Sequence, residues 1–160
     1  MVPSYLKWSE TLITFDRSDH PDHVPQPGSY PLVVAPLFST KRVHKVLMDG
    51  GSGLNILYAS TLDGMGISRS RLRPSPTPFH GVVPGMEALP LGQIDLPVTF
   101  GTQRNFRTET LTFEVVGFPG TYHAILGRLA YAKFMAVPNY TYLKLKIPGP
   151  KGIITVGMSF

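Results

Sequence analysis

Alternation of apolar and polar positions in the second half of the chain predicts β-strands. Every second residue is apolar across 94–100 and again across 111–115, which is the period of a strand with one buried face. The stretch 143–156 alternates over 143–147 and returns as the apolar segment 153–156 after a Pro- and Gly-rich turn at 148–152. It therefore predicts a hairpin near the end of the chain.

The first half of the chain predicts two more strands. Two other segments of the chain predict short helices. The apolar run 31–38 contains prolines, which restrict it to an edge or an irregular strand. The segment 43–48 predicts a second strand that leads into a glycine-rich turn. The segment 58–65 predicts a short helix whose end is marked by Gly64 and Gly66. The segment 128–135 predicts a second helix, because it is rich in residues that favour a helix.

Composition supports a turn-rich β-protein. Of the 160 residues, 42% are hydrophobic, which is enough apolar surface for one core. The 16 glycines and 16 prolines disfavour long helices and favour turns. We predict a mostly β fold, a small closed β-barrel with two short helices. Its expected boundaries are an extended arm over 1–29 and one domain over 30–160.

Several functional classes are excluded or not favoured. The chain has no cysteine, so thiolate catalysis and cysteine-based zinc sites are excluded. Asp19, His20, Asp22 and His23 lie in a proline-containing loop, where fixed metal geometry is not expected; no metal or other cofactor is predicted. Trp8 is expected to anchor the arm to the barrel. Neither a secretory signal nor a membrane-spanning run is recognised, which predicts a cytoplasmic protein with no membrane partner.

The chain carries a formal charge of +5 and has an isoelectric point near 9.6. Its basic residues are scattered, and no RNA-recognition signature combines them with aromatic residues. A solvated basic surface is therefore favoured over direct contact with nucleic acid. A small basic barrel that binds nucleic acid stays open as an alternative, and salt-dependent binding to generic DNA or RNA would favour it.

Asp49 is the clearest candidate for a residue with a chemical role. It ends an apolar strand and is followed by Gly50, Gly51 and Ser52. Glycine permits positive φ and close approach of another segment, so the carboxylate is expected on a tight turn. Asp-Gly is equally a signal for an ordinary β-hairpin turn. These residues alone leave both a structural turn and a catalytic turn open.

A longer pattern resembles a known family. The segment 46–58, VLMDGGSGLNILY, resembles the catalytic segment of the retropepsin-like aspartic protease domain in plant gypsy-type LTR retrotransposon Gag-Pol polyproteins. The segments 72–81 and 91–101 are similar to the flap region of that family. The segment 122–128, YHAILGR, resembles its second signature. The resemblance runs in the family's order from about Leu12 to the end of the chain.

The resemblance implies a retropepsin-type barrel and assigns roles to residues. Asp49 would be the catalytic residue on the turn formed with Gly50, Gly51 and Ser52, where the Ser52 hydroxyl is expected to hold Asp49. The implied second signature, which would pass beside this turn, is Ile125, Leu126 and Gly127. The implied flap and substrate-binding residues are Phe79, His80, Gly81, Val82 and Val83.

One Asp-Gly-Gly turn implies two chains. Aspartic proteolysis needs two carboxylates that share a proton, and Asp63, Glu87 and Asp95 lack this sequence context. The second carboxylate is therefore expected from a second copy across a two-fold axis. The implied substrate is an extended peptide of a retrotransposon polyprotein, cleaved inside the cell or within a virus-like particle.

The chain departs from the family of aspartic proteases at one position. Thr or Ser usually follows the catalytic Asp, and here the residue is Gly50. Loss of that hydroxyl implies a less well-supported pair of carboxylates. A protease fold that is catalytically weak or inactive, and that serves in dimerisation or peptide binding, is therefore the main alternative.

Overall fold

The computed structural model describes residues 7–22, 26–76 and 90–158, and these residues form a mostly β structure. The helices are α1 (Ala59–Gly64) and α2 (Arg128–Phe134), and single 3-10 turns cover Arg17–Asp19 and Arg69–Arg71. The strands are β1 (Leu32–Val34), β2 (Leu37–Phe38), β3 (Lys41–Arg42), β4 (Val46–Met48), β5 (Asn55–Tyr58), β6 (Gly92–Thr102), β7 (Asn105–Val116), β8 (Ala124–Leu126), β9 (Val137–Asn139), β10 (Lys144–Gly149) and β11 (Gly152–Gly157).

Eight strands form one curled sheet in the order β1-β4-β8-β5-β7-β6-β2-β3, and β11-β10-β9 form a second sheet. The long β6–β7 hairpin pairs from Gly92 with Val115 to Thr102 with Asn105. The curled sheet is a half-barrel, which confirms the predicted mostly β fold with two short helices. Within the described ranges, neither helix approaches the length and apolar character needed to cross a bilayer.

The core lies inside the curl of the large sheet, where the predicted alternation is observed. Ile94, Leu96, Val98 and Phe100 of β6 are buried, while Asp95 between them is exposed. Both helices and the second sheet close the core with buried residues of their own. These are Leu62 of α1, Ala130 and Phe134 of α2, Leu145 and Ile147 of β10, and Ile154 of β11.

The strand predicted over 43–48 is shorter than expected. Val43 is buried, but Lys45 adopts a φ of 55°, a left-handed conformation that a strand does not contain. The chain therefore turns at Lys45, and β4 begins only at Val46. β3, β5, β8 and β9 were not predicted as strands, because each is too short to show a period.

The N-terminal arm packs against the β9–β11 sheet. The Lys146 ammonium donates to the Asp19 carboxylate and to the Thr14 carbonyl, both at 2.8 Å. Phe15 lies 6.5 Å from Tyr142 between ring centroids. The hydrogen bond from Lys146 also lowers the pKa of Asp19. Asp19, weighed above as part of a metal site, is therefore paired with a lysine.

Arg107 joins the arm, α2 and the second sheet. Its side chain is buried, and its guanidinium lies 4.6 Å from the Trp8 ring, as the anchoring role predicted for Trp8 requires. Its N–H groups donate to the carbonyl oxygens of Lys133 (2.8 Å), Phe134 (2.6 Å) and Pro148 (3.0 Å). Glu109 accepts two further hydrogen bonds from Arg107, at 3.1 and 2.9 Å.

Candidate active site

The Asp49 carboxylate is hydrogen-bonded to the backbone of the turn that Asp49 begins. Asp49 follows β4 directly and is partly exposed. Its Oδ1 accepts a hydrogen bond from the Gly51 N–H at 3.0 Å, and its carbonyl accepts one from the Ser52 N–H at 3.1 Å. A Cβ at Gly51 would lie only 3.2 Å from that Oδ1. The glycine thus leaves the space in which the carboxylate settles against the backbone.

The strands on either side of this turn do not pair with each other, because β8 lies between them. Leu126 of β8 is in parallel register with Met48, and Ile125 is in antiparallel register with Ile56 of β5. The Asp49 N–H donates to the Leu126 carbonyl at 2.9 Å. An ordinary hairpin would pair β4 with β5, so the hairpin alternative is wrong. Ile125 and Leu126 pass beside the turn, as the resemblance implied.

Gly127 makes the closest approach to the turn. A Cβ at this position would lie 2.5 Å from the Ser52 carbonyl oxygen and 2.6 Å from that of Leu54, distances that backbone atoms do not tolerate. The Gly127 N–H donates to the Asn55 Oδ1 at 2.9 Å, and the Asn55 amide donates to the Thr112 carbonyl at 3.3 Å. Asn55 of β5 is therefore linked to β7 and to the residue between β8 and α2.

Asn55 was missed by the sequence analysis. It is 2% exposed, and its one visible signal is an amide at the start of the apolar run 54–58. A buried amide has to find hydrogen-bond partners. Those partners lie 57 and 72 residues further along the chain, so sequence spacing does not reveal them.

Ser52 does not hold the Asp49 carboxylate. Its hydroxyl donates to the Leu54 carbonyl at 2.7 Å and accepts from the Leu54 N–H at 3.3 Å. Its own carbonyl accepts from the Arg128 N–H at 2.9 Å. The expectation that Ser52 hydrogen-bonds Asp49 is therefore wrong. The serine hydroxyl bonds Leu54 instead, and the Gly51 N–H donates to the carboxylate.

Gly50 faces the ring of Tyr131 from α2. A Cβ at Gly50 would lie 3.7 Å from Tyr131 Cε2, an ordinary van der Waals distance. The Tyr131 hydroxyl is buried and has no well-formed hydrogen bond within the described part of the chain. Burial raises the pKa of Tyr131, and the neighbouring Tyr140 hydroxyl and the charge of Asp49 add to the rise. A buried polar group thus lies close to the turn.

An apolar strip extends from the turn along the outer face of the sheet. Val33, Leu47 and Ile125 are in register on three adjacent strands, and each is half-buried. Their neighbours along each strand point into the core. The strip leads to a pocket of about 280 Å³, which is lined by Tyr30, Pro31, Val33, Lys45, Thr121, Tyr122 and Met158. Such a surface suits apolar side chains of an extended ligand.

Two other carboxylates considered above are engaged elsewhere. Asp63 pairs with Arg69 at 2.9 Å, and Asp95 accepts from Arg73 at 2.8 Å and from Thr112 at 2.7 Å. The arginine hydrogen bond lowers the pKa of each carboxyl. Across residues 7–22, 26–76 and 90–158, no group of three histidine, aspartate or glutamate side chains lies where it could hold a metal ion.

The predicted flap lies outside the described residues, and so does Glu87. The flap residues concerned are Phe79, His80, Gly81, Val82 and Val83.

Comparisons with known proteins bear on the fold. A scan against protein-family models finds no match, and neither does a search of curated proteins. Among solved structures, the chain is similar to the retroviral protease-like domain of Ddi1 from Leishmania major, with a TM-score of 0.57 at 15% identity over 81% of this chain and 94% of that one. A retropepsin-like aspartic protease from Rickettsia conorii gives a TM-score of 0.46 at 12% identity over 79% and 89%.

The fold of the chain is that of a known structural class. The chain has the fold of retropepsin-like aspartic protease domains, built here as a half-barrel with two helices. Within that fold, the structure brings Asp49, Gly51 and Gly127 together at one turn.

Proposed function

We propose that this chain is an aspartic endopeptidase that acts as a homodimer, with Asp49 as the catalytic carboxylate of each protomer. The observation that carries the proposal is the partly exposed Asp49 carboxylate on a turn fixed by β8. One chain supplies one such turn, so a second copy has to supply the other carboxylate.

The chemistry follows from bringing two carboxylates together. Like charges a hydrogen bond apart cannot both ionise, so the pair keeps one proton. The ionised Asp49 takes a proton from a water molecule, which attacks the peptide carbonyl carbon. The protonated Asp49 of the other protomer donates to the developing oxyanion. Gly51 supports this role, because its N–H fixes one carboxylate oxygen and leaves the other available.

The proposed substrate is an extended peptide segment. The half-buried strip of Val33, Leu47 and Ile125 beside Asp49 supports apolar contacts with alternate side chains of such a segment. By the sequence resemblance, we propose that the substrate belongs to a polyprotein of a plant gypsy-type retrotransposon and is cleaved inside the cell.

A peptide-cleavage assay tests the proposal. Purified protein is incubated with a diverse peptide pool at mildly acidic pH, and products are identified by mass spectrometry. We expect cleavage whose specific activity rises with protein concentration, because only the dimer is active. A peptide analogue with a tetrahedral hydroxyl group should inhibit it, while a metal chelator should not. A dimer that cleaves no peptide would favour the inactive peptide-binding module, which the missing hydroxyl at Gly50 also supports.

Replacing Gly50 with serine is expected to raise kcat/KM by about fivefold, the equivalent of one added hydrogen bond of about 1 kcal/mol. The new Cβ fits, since its nearest neighbour would be 3.7 Å away, and Gly50 is not among the residues with positive φ. The matched control is Gly50→Ala, which adds the carbon without the hydroxyl and should give no gain. Equal rates for the serine and alanine variants would contradict the prediction.

A further inference from the structure

A surface pocket of about 450 Å³ lies at the opposite end of β4 from the Asp49 turn. β3 and the residues after it form one wall, α1 forms another, and His123, which directly precedes β8, completes the lining. β4 and β8 run parallel, so both strands lead from this pocket to the Asp49 turn. The three residues of β4 span about 10 Å. The pocket is therefore separate from the proposed catalytic site.

Basic and imidazole side chains line this pocket. Lys41 and Arg42 of β3 are joined there by His44 and His123, and all four residues are exposed. No carboxylate of a described residue lines the pocket, and neither Lys41 nor Arg42 forms an ion pair within the described ranges. Asp63, the acidic residue of α1, pairs with an arginine outside the pocket. The unpaired charge of the lysine and the arginine favours an anionic ligand.

Hydrogen bonds hold the walls of the pocket together. The His123 backbone N–H donates to the Lys45 carbonyl at 2.9 Å, and the Thr61 hydroxyl donates to the His123 carbonyl at 2.8 Å. The His123 Nδ1 lies 2.6 Å from the His44 carbonyl oxygen. Because a carbonyl oxygen only accepts, this Nδ1 carries the hydrogen, and Nε2 is the ring nitrogen left for a ligand. Arg42 is fixed as well, since its Nη1 donates to a backbone carbonyl at 2.7 Å.

The remaining lining residues favour an organic phosphate over a bare ion. Ser60 and Thr61 carry hydroxyl groups, which bond phosphoryl oxygens as ammonium and guanidinium groups do. Val43 and Met65 are apolar, and apolar surface contributes nothing to binding a free phosphate ion. The volume of about 450 Å³ also lies within the range of about 300–1,000 Å³ that is usual for small-molecule sites. The pocket therefore suits a ligand with both an anionic and an apolar part.

We infer that this pocket binds a small phosphate monoester with an apolar body, of the kind that a nucleoside monophosphate represents. Lys41, Arg42 and His44 contact the phosphoryl oxygens, while Val43 and Met65 contact the organic part. The inference goes beyond peptide cleavage, and its test is independent of it, because binding is measured on the protein without any peptide substrate.

Isothermal titration calorimetry with three probes tests the inference. Adenosine monophosphate carries a phosphoryl group and a ring system, whereas inorganic phosphate carries only the first and adenosine only the second. We expect the monophosphate to bind at least about tenfold more tightly than either other probe, because each of those lacks one set of contacts. Inorganic phosphate that binds as tightly as the monophosphate would overturn the organic ligand in favour of the free ion. Adenosine that does so would overturn the anion site.

Lys41→Met and His44→Leu locate the binding site. Each removes a group that contacts the phosphoryl oxygens, so each should raise the Kd of adenosine monophosphate by about tenfold, as expected for a lost hydrogen bond to a charged group. Both residues are exposed, and circular dichroism checks that the fold is kept. Lys151→Met is the matched control, because Lys151 is an exposed lysine between β10 and β11 that does not line the pocket. It loses the same charge and should keep the wild-type Kd.

Two results with these proteins would contradict the inference. Equal Kd values for the Lys41→Met, His44→Leu and Lys151→Met variants would place binding elsewhere on the chain. A single-stranded RNA that binds much more tightly than adenosine monophosphate, with strong salt dependence, would assign this basic surface to nucleic acid instead.

Discussion

Replacing Asp49 with asparagine is expected to abolish peptide hydrolysis while leaving fold and dimer intact. Asparagine has the same shape and still offers an oxygen to the Gly51 N–H, which lies 3.0 Å from Oδ1 in the wild type. It cannot take a proton from water, however, and both protomers of the dimer lose that function at once. General acid–base catalysis contributes about 10²–10⁴-fold to a rate, so a loss of at least about 10²-fold is expected.

The matched control is Asp95→Asn. Asp95 is also a carboxylate, but it is 47% exposed and pairs with Arg73 on the surface of β6. Exposed ion pairs contribute at most about 1 kcal/mol, so this variant should cleave peptide at the wild-type rate. Steady-state rates on one identified substrate, together with the dimer Kd, measure both variants. Comparable activity in the Asp49 and Asp95 variants would remove Asp49 from the mechanism.

The largest expected loss of stability follows from Arg107→Met. Methionine fills similar space, but it leaves the carbonyl oxygens of Lys133, Phe134 and Pro148 without their buried donor, and Glu109 without its partner. Removing one member of a buried charged network costs about 3–5 kcal/mol. That is a large part of the roughly 5–15 kcal/mol by which domains are stable.

Urea unfolding of the wild type and of the Arg107→Met variant measures this loss of stability. Arg104→Met is the control, because Arg104 is exposed and surface substitutions usually change stability by about 0.5 kcal/mol or less. Arg107→Lys should recover only part of the stability, since an ammonium lacks the planar set of donors that reaches several carbonyls at once. Equal midpoints for the Arg107→Met and Arg104→Met variants would show that the network contributes little.

The sequence predicted the long elements of the fold well. The alternation in 94–100 and 111–115 gave β6 and β7, because a strand half-buried along its length shows its period clearly. Short elements gave no such signal. β5 has four consecutive buried residues, and a run of that kind does not distinguish a strand from a buried helix.

The candidate site was only partly predictable. Asp49 and Gly127 could be named from local sequence and resemblance, since each lies in a recognisable short pattern. The roles of Asn55 and Arg107 could not, because both depend on distant carbonyls that the fold alone brings near. By alternation Arg107 lies on the same face of β7 as Leu111 and Phe113, but nothing in the local sequence shows that the arm and α2 supply partners for its charge.

The position of β8 between β4 and β5 has a consequence for synthesis. A nascent chain that has emerged only as far as α1 already contains Asp49, yet it lacks the Leu126 carbonyl and Gly127 that shape the turn. Contacts separated by some 72 residues form late, because long loops have to close first. The acidic group of Asp49 therefore acquires its setting only after β8 has been synthesised and has inserted between the two earlier strands.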